Sequence, residues 1–166
     1  MRRNKVEQAL PYGVVKDIAV PVEPEDERYW VPDGHGLFMR PLMINPTNGD
    51  RVALVKVKRN GIVSRHRHPG PVHGYVLKGE WYYLEHDWVA RPGMYVYEPP
   101  GDIHTLVVPE HVEEMVSLFH TFGAVIYLDE NGKTVDYDDV HTVIEVCRKH
   151  YDKVGIGADY VDTLIR

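Results

Sequence analysis

The hydrophobic positions of this chain form short runs that turn residues separate. Valine, isoleucine, leucine and tyrosine recur in these runs, and Asn-Gly, Lys-Gly and Arg-Pro-Gly segments lie between them. Runs of this kind are typical of antiparallel strands. The pattern predicts eight strands, at 37–44, 52–57, 73–77, 81–84, 94–97, 105–108, 115–119 and 124–128. Eight short strands favour an all-β antiparallel barrel or double-sheet jelly roll.

The two ends of the chain differ from this pattern. Prolines interrupt every apolar run in residues 1–35, so this segment is expected to be irregular, with short edge strands at most. Near the other end, one apolar stripe follows the helical period: Val140, Val143, Ile144, Cys147 and Tyr151. Acidic residues begin this stretch and basic residues end it, which suits the helix dipole. We predict a helix over 136–152 that packs on the barrel with Cys147 in its core.

Length and charge narrow the class of protein. A chain of 166 residues predicts a single domain over 1–166, with the barrel at 36–135. The longest apolar run has five residues, Ala124–Leu128, and no signal-like segment follows the basic start, so we expect a cytoplasmic protein without a membrane span. The net charge of −6, without a basic stripe, argues against a nucleic-acid partner. The single cysteine excludes disulfides and Cys-rich metal sites.

Histidines are the candidate functional residues of this chain. Five of the ten histidines lie between residues 66 and 104. His66 and His68 are two residues apart, so on a strand both imidazoles point to the same side. An H-x-H pair alone is a weak signal for a metal site. Its surroundings strengthen it, because Gly61 precedes the pair and Gly79 follows it, and a second segment runs from Gly93 through Pro99 and Gly101 to His104.

These two segments resemble the motifs of the cupin superfamily. The second motif is matched up to His104, with Val108 in place of its final asparagine, and the first is matched at both histidines and both glycines, one residue short after Gly61. The resemblance implies a cupin fold in which His66, His68 and His104 bind a metal inside the barrel. Three unrelated barrel histidines are the alternative.

The first motif departs from the superfamily at its carboxylate ligand. Val72 or His73 occupies that place. Three neutral imidazoles leave a divalent metal its full charge, which suits an anionic bidentate ligand such as an enediolate and leaves open positions for dioxygen. This logic favours Fe²⁺ as cofactor, although nickel or zinc could occupy the same site.

A closer resemblance concerns several further segments. The stretches around 66–77, 83–90, 97–101 and 125–129 are similar to dihydroxyacetophenone dioxygenases and, more distantly, to acetylacetone-cleaving dioxygenases. This resemblance implies a non-haem iron dioxygenase that uses O₂ to cleave a carbon–carbon bond of a hydroxyketone or diketone. It also implies self-association as a homodimer or homotetramer. A non-oxidative isomerase or lyase and a metal-dependent small-molecule sensor are the alternative functions.

Other residues are candidates for supporting roles. Glu98 could orient a ligand ring or take a proton from the substrate, against the alternative of a solvated rim position. His73 could support a ligand, coordinate the metal or contact the substrate. Trp81, Tyr83 and Tyr75 could stack on an aryl substrate, or could simply fill the barrel. Arg40, beside Pro41, is expected on an exposed loop, and the remaining histidines are expected in surface or structural roles.

Overall fold

The computed structural model describes residues 13–22 and 26–166. Within them, twelve strands precede one α-helix, α1 (Val140–Lys153), and short 3-10 helices lie at Glu27–Tyr29 and Ala158–Leu164. The strands are β1 (Val31–Pro32), β2 (Phe38–Asn45), β3 (Asp50–Lys58), β4 (Ile62–Arg67), β5 (Val72–Lys78), β6 (Trp81–Tyr83), β7 (Val89–Ala90), β8 (Tyr95–Glu98), β9 (Ile103–Val107), β10 (Glu114–Phe122), β11 (Val125–Leu128) and β12 (Thr134–Asp138).

The strands form two antiparallel six-stranded sheets. The first has the order β1-β2-β3-β10-β5-β8 and the second β12-β11-β4-β9-β6-β7. Strands distant in sequence are neighbours in both sheets, as in a double-sheet jelly roll. The all-β prediction is therefore confirmed. None of the helices in the described ranges has the length and apolar character that crossing a bilayer requires.

The structure contains each of the eight predicted strands, with shifted ends, and four more. One of the four is β1, in the segment where short edge strands at most were expected, and the other three, β4, β7 and β12, were not predicted. β4 has the sequence Ile-Val-Ser-Arg-His-Arg, and its pairing with β9 and β11 makes it a strand despite its polar residues. The helix predicted from residue 136 begins at Val140, because residues 134–138 pair with β11 instead. Asp139 caps the helix by accepting hydrogen bonds from the backbone N–H groups of His141 and Thr142.

The helix and the irregular start of the chain cover one end of the fold. Val140, Val143, Cys147 and Tyr151 are buried in a cluster with the first strands, so the expected core position of Cys147 is confirmed. Residues 27–32 contribute only a 3-10 turn and the two-residue edge strand β1, as the prolines predicted.

Arg40 corrects the expectation of an exposed loop residue. It lies within β2 and is 3% exposed. Its Nη2 donates a hydrogen bond of 2.6 Å to the carbonyl oxygen of Pro21, and its guanidinium lies 5.2 Å from the centre of the Tyr29 ring. The proline that follows it is accommodated by a register shift between Pro41 and Met43. This arginine therefore helps to attach the N-terminal segment to the first sheet.

Candidate metal centre

Strand pairing brings the three predicted histidines together. His66 of β4 and His104 of β9 are directly paired in the antiparallel register, and His68 follows β4 on the same side. Their ring centres are separated by 5.0 Å (His66–His68), 4.6 Å (His66–His104) and 5.5 Å (His68–His104). One nitrogen from each ring lies within 4.8 Å of the other two. This is the arrangement that a cation shared by three imidazoles requires.

All three imidazoles are buried and are held in the neutral form. Burial, reinforced by the neighbouring imidazoles, lowers the pKa of His66 to about 3 and that of His68 to about 2. Burial also lowers the pKa of His104. Nδ1 of His66 donates a 2.7 Å hydrogen bond to the carbonyl oxygen of Ser64, which leaves its Nε2 unprotonated. Neutral imidazole is the form that binds divalent metals.

A carboxylate stands behind His104. Oδ2 of Asp102 lies 3.4 Å from Nδ1 of His104 and 3.0 Å from Nε2 of His86. An acceptor at Nδ1 fixes the ring orientation and leaves the other nitrogen of His104 directed toward Glu98 and the other two imidazoles. His86, expected in a surface or structural role, is therefore part of this supporting chain. These three residues also form a second group that could hold a cation.

Glu98 supplies a carboxylate at the open side of the three imidazoles. Its Oε2 lies 3.3 Å from Nε2 of His68 and 3.5 Å from Nε2 of His104, and the side chain is 3% exposed. The first motif lacks a carboxylate at its usual ligand position, and this one comes from β8 instead. Burial raises the pKa of Glu98 to about 7, although the hydroxyl of Tyr83 opposes that shift by donating a hydrogen bond. Glu98 is thus buried at the site, not solvated at a rim.

These residues fit a divalent metal. Nε2 of His104 and Oε2 of Glu98 are completely buried and have no hydrogen-bond partner among the described residues. Buried polar atoms without partners are rare, and here both lie where a cation would be held. Three neutral imidazoles with an adjacent carboxylate match iron, nickel or zinc rather than magnesium or calcium, which prefer oxygen ligands.

His66 and His68 line one cavity between the two sheets, and His104 is completely buried beside them. The cavity is partly open to solvent. Its wall is largely aliphatic and aromatic, with residues of both sheets and of α1, and the apolar members include Leu37, Met39, Ala53, Val55, Val63, Val72, Leu106, Phe119, Val125, Val143 and Val146. A cavity of this kind accommodates a small organic ligand beside the metal site.

The structure separates the other predicted residues into two groups. Tyr83 lines the cavity, whereas Trp81 is buried outside its wall and donates a hydrogen bond to Ser117. His73 and Tyr75 alternate along β5 with Val72 and its buried neighbours, so they lie on the outer face. Nδ1 of His73 is 2.7 Å from the hydroxyl of Tyr95, away from the metal centre. Neither His73 nor Tyr75 therefore reaches the three imidazoles.

Several polar residues of the cavity were missed in the sequence. Arg51 lines it from β3, and Asp33 and Asp138 line it from the segment after β1 and from β12. Tyr127 also lines it and is buried beside His66, with ring centres 5.9 Å apart. The alternation of Arg51 with Ala53 and Val55 along β3 was the available signal, because residues of one face share the same side of a sheet.

Fold and site together define a cupin with a three-histidine candidate metal centre. The family profile of the ChrR cupin-like domain matches residues 20–126, so the chain belongs to that family.

Solved structures agree with this fold. An RmlC-like cupin protein from Ralstonia eutropha has a TM-score of 0.73 at 25% identity and covers 82% of this chain and 90% of its own. A cupin-like protein of unknown function from the same organism has a TM-score of 0.69 at 25% identity, covering 72% and 75%. An acetylacetone dioxygenase from Acinetobacter johnsonii has a TM-score of 0.67 at 18% identity, covering 82% and 97%. No curated protein matches the chain significantly.

Proposed function

We propose that this protein is an Fe²⁺-dependent dioxygenase that cleaves a carbon–carbon bond of a small hydroxyketone or diketone. One observation carries the proposal: three buried, neutral imidazoles lie together beside the Glu98 carboxylate, and two of them, His66 and His68, line a largely apolar cavity. For a hydroxymethyl ketone, cleavage of the bond between the carbonyl and hydroxymethyl carbons by one O₂ would give a carboxylic acid and formic acid, with both oxygen atoms of O₂ retained in the two products. The likeness to the acetylacetone dioxygenase supports the fold and leaves the activity to be tested.

The donor set suits this chemistry. His66, His68 and His104 would hold the metal without cancelling its charge. Iron, when bound there, supplies a Lewis acid for two substrate oxygens and the capacity to react with O₂. The largely aliphatic wall would shield a bound substrate from much of the solvent, which strengthens electrostatic interactions between the substrate and its charged neighbours.

Glu98 is the residue we assign to proton transfer. Tyr83 donates a 2.5 Å hydrogen bond to Oε1, which leaves Oε2 directed at the imidazoles. A carboxylate in this position can accept the proton that a hydroxyketone loses when it becomes an enediolate. Its burial strengthens it as a base, because the charged carboxylate is poorly solvated there.

The test is oxygen consumption by protein loaded anaerobically with Fe²⁺. We expect O₂ uptake with members of a panel of aryl hydroxyketones and diketones, with the acid products identified by mass spectrometry. His104→Ala should lose both bound iron and O₂ uptake. His111→Ala is the matched control, because His111 is exposed and, among the residues that the structure describes, its side chain hydrogen bonds Glu80 alone. Iron binding and O₂ uptake should both persist in His111→Ala.

Three outcomes would overturn the proposal. Fully iron-loaded protein that consumes no O₂ with any member of the panel would contradict dioxygenase activity. If zinc, nickel or manganese supported conversion of the same ketones without O₂, the protein would be an isomerase or lyase. Binding without any conversion would leave a metal-dependent small-molecule sensor.

We place this activity in the cytoplasm, where a reducing environment maintains Fe²⁺, in a homodimer or homotetramer. Light scattering of the purified protein measures the oligomeric state.

A further inference from the structure

Arg51 brings a positive charge into the cavity from the sheet that faces the histidines. It lies on β3 of the first sheet, whereas His66 and His104 lie on strands of the second. The residue is 6% exposed and lines the same cavity as His66 and His68. A guanidinium is seldom buried without a compensating partner, because removing its charge from water is costly.

The hydrogen bonds of Arg51 leave most of its donors available. Nη1 donates a 3.2 Å hydrogen bond to the carbonyl oxygen of Gly123, the single hydrogen bond of this side chain within the described ranges. A guanidinium has five N–H donors in a fixed plane. The remaining donors belong to a side chain that forms part of the cavity wall. A ligand oxygen is therefore a suitable partner for them.

Two carboxylates accompany the guanidinium in the cavity wall. Asp33 accepts a hydrogen bond from the backbone N–H of His35, and Asp138 interacts with the hydroxyl of Tyr127. Both act electrostatically on Arg51, but neither forms an ion pair with it in the described structure. With both ionised, the three residues carry a net charge of −1. This negative charge would repel an anionic ligand group at the same place. A neutral ligand hydroxyl could instead accept a hydrogen bond from Arg51 and donate one to a carboxylate.

We propose that Arg51 determines substrate specificity by hydrogen bonding a hydroxyl group of the substrate that does not coordinate the metal. The inference rests on the proposed function, which places the ketone end of the ligand at the metal. It assigns Arg51, with Asp33 and Asp138 beside it, to recognition of this hydroxyl, which is the second polar group of the ligand. The favoured ligand is then a ketone with a neutral hydroxyl, and both the unsubstituted and the carboxylated analogues bind less well.

Binding to the zinc-loaded protein tests this assignment without oxygen chemistry. The probes are phenacyl alcohol, its three ring-hydroxylated isomers and a ring-carboxylated analogue, titrated by calorimetry. We expect at least one hydroxylated isomer to bind about 10- to 100-fold more tightly than phenacyl alcohol, as for a hydrogen bond to a charged group. Arg51→Met should abolish that preference and leave the affinity for phenacyl alcohol nearly unchanged.

Matched variants separate recognition from a structural role. Arg40→Met removes another buried arginine, on the neighbouring strand and outside the cavity wall, and should keep the preference. If Arg51→Met does not fold, Arg51→Lys keeps the charge but loses the planar fork, and should weaken the preference. Circular dichroism checks the fold of each variant. In the iron form, Arg51→Met should raise KM for the hydroxylated substrate with little change in kcat.

The results distinguish this inference from the proposed function. If Arg51→Met retains the hydroxyl preference, or if the wild-type protein has none, the role of Arg51 is wrong. Tightest binding of the carboxylated analogue would overturn the choice of a neutral hydroxyl. An iron form without O₂ uptake, combined with an Arg51-dependent preference in the zinc form, would reject the dioxygenase and retain the recognition site.

Discussion

The hydroxyl of Tyr83 lies 2.5 Å from Oε1 of Glu98, inside the barrel. The same tyrosine ring stacks on the imidazole of His104, with ring centres 4.0 Å apart and planes inclined by 16°. Tyr83 therefore contacts both a candidate metal ligand and the carboxylate beside it. By engaging Oε1, it determines which oxygen of Glu98 faces the imidazoles.

Glu98→Gln should lower kcat about 10²- to 10⁴-fold, because an amide cannot act as the base. Metal content should remain near that of the wild type, since three imidazoles still bind the cation. Tyr83→Phe keeps the stacked ring but removes the hydroxyl, so we expect a smaller decrease in kcat with the metal retained. Steady-state kinetics and metal analysis check both variants. Loss of the metal in Glu98→Gln would instead assign Glu98 as a fourth ligand.

Asp102→Asn should weaken metal binding about 10- to 100-fold, the usual effect of removing a carboxylate that orients a ligand histidine. The expected cause is reorientation of His104, whose Nδ1 is 3.4 Å from this carboxylate. Competition with a chromophoric chelator measures the affinity for Zn²⁺. Asp87→Asn, on the exposed loop after β6, is the control and should bind as the wild type does. Equal affinities in the two variants would remove Asp102 from the site.

Asp33→Asn should stabilise the metal-free protein above pH 6. Burial raises the pKa of folded Asp33 from 3.8 to about 6, so the folded state holds this proton more tightly than the unfolded state does. This group therefore lowers the free energy of unfolding as pH rises from about 4 to about 6, by at most about 3 kcal/mol. The asparagine has no such dependence and can still accept from His35.

Urea denaturation of both proteins at pH 4 and pH 7.5 measures this effect. The stability difference should be near zero at the lower pH and about 1–3 kcal/mol in favour of Asp33→Asn at the higher pH. Asp87→Asn again serves as the control for a neutralised exposed carboxylate. A difference that does not change with pH would contradict a raised pKa for Asp33.

Gly74→Ala should destabilise the protein by about 1–3 kcal/mol through overpacking. A Cβ at this position would lie 2.8 Å from Cε1 of Phe119, a residue of the cavity wall. The ring would have to move toward the cavity, so ligand binding should weaken as well. Adding Phe119→Leu should recover part of the lost stability, because the smaller side chain relieves the contact. Unchanged thermal unfolding of Gly74→Ala would show that the ring has room to move.

The local pattern of the chain was enough for the fold class and the three histidines. Alternating apolar residues and turn residues are local signals, and the spacing around His66 and His104 matches motifs that depend on sequence distance alone. The core position of Cys147 follows in the same way from its place on the apolar stripe of a helix. Each of these features depends on residues close to one another along the chain.

The remaining features of the fold and the site depend on pairing between strands that are distant in sequence. β4 is polar enough to resemble a loop, and it is a strand because β9 and β11 supply its hydrogen bonds. His73 had a suggestive spacing, but the register of β5 directs its side chain outward. Arg51 was inconspicuous in the sequence, and the packing of one sheet on the other places it in the cavity of the histidines. Which side chains meet across two sheets depends on register and packing, and residue spacing along one strand carries no record of either.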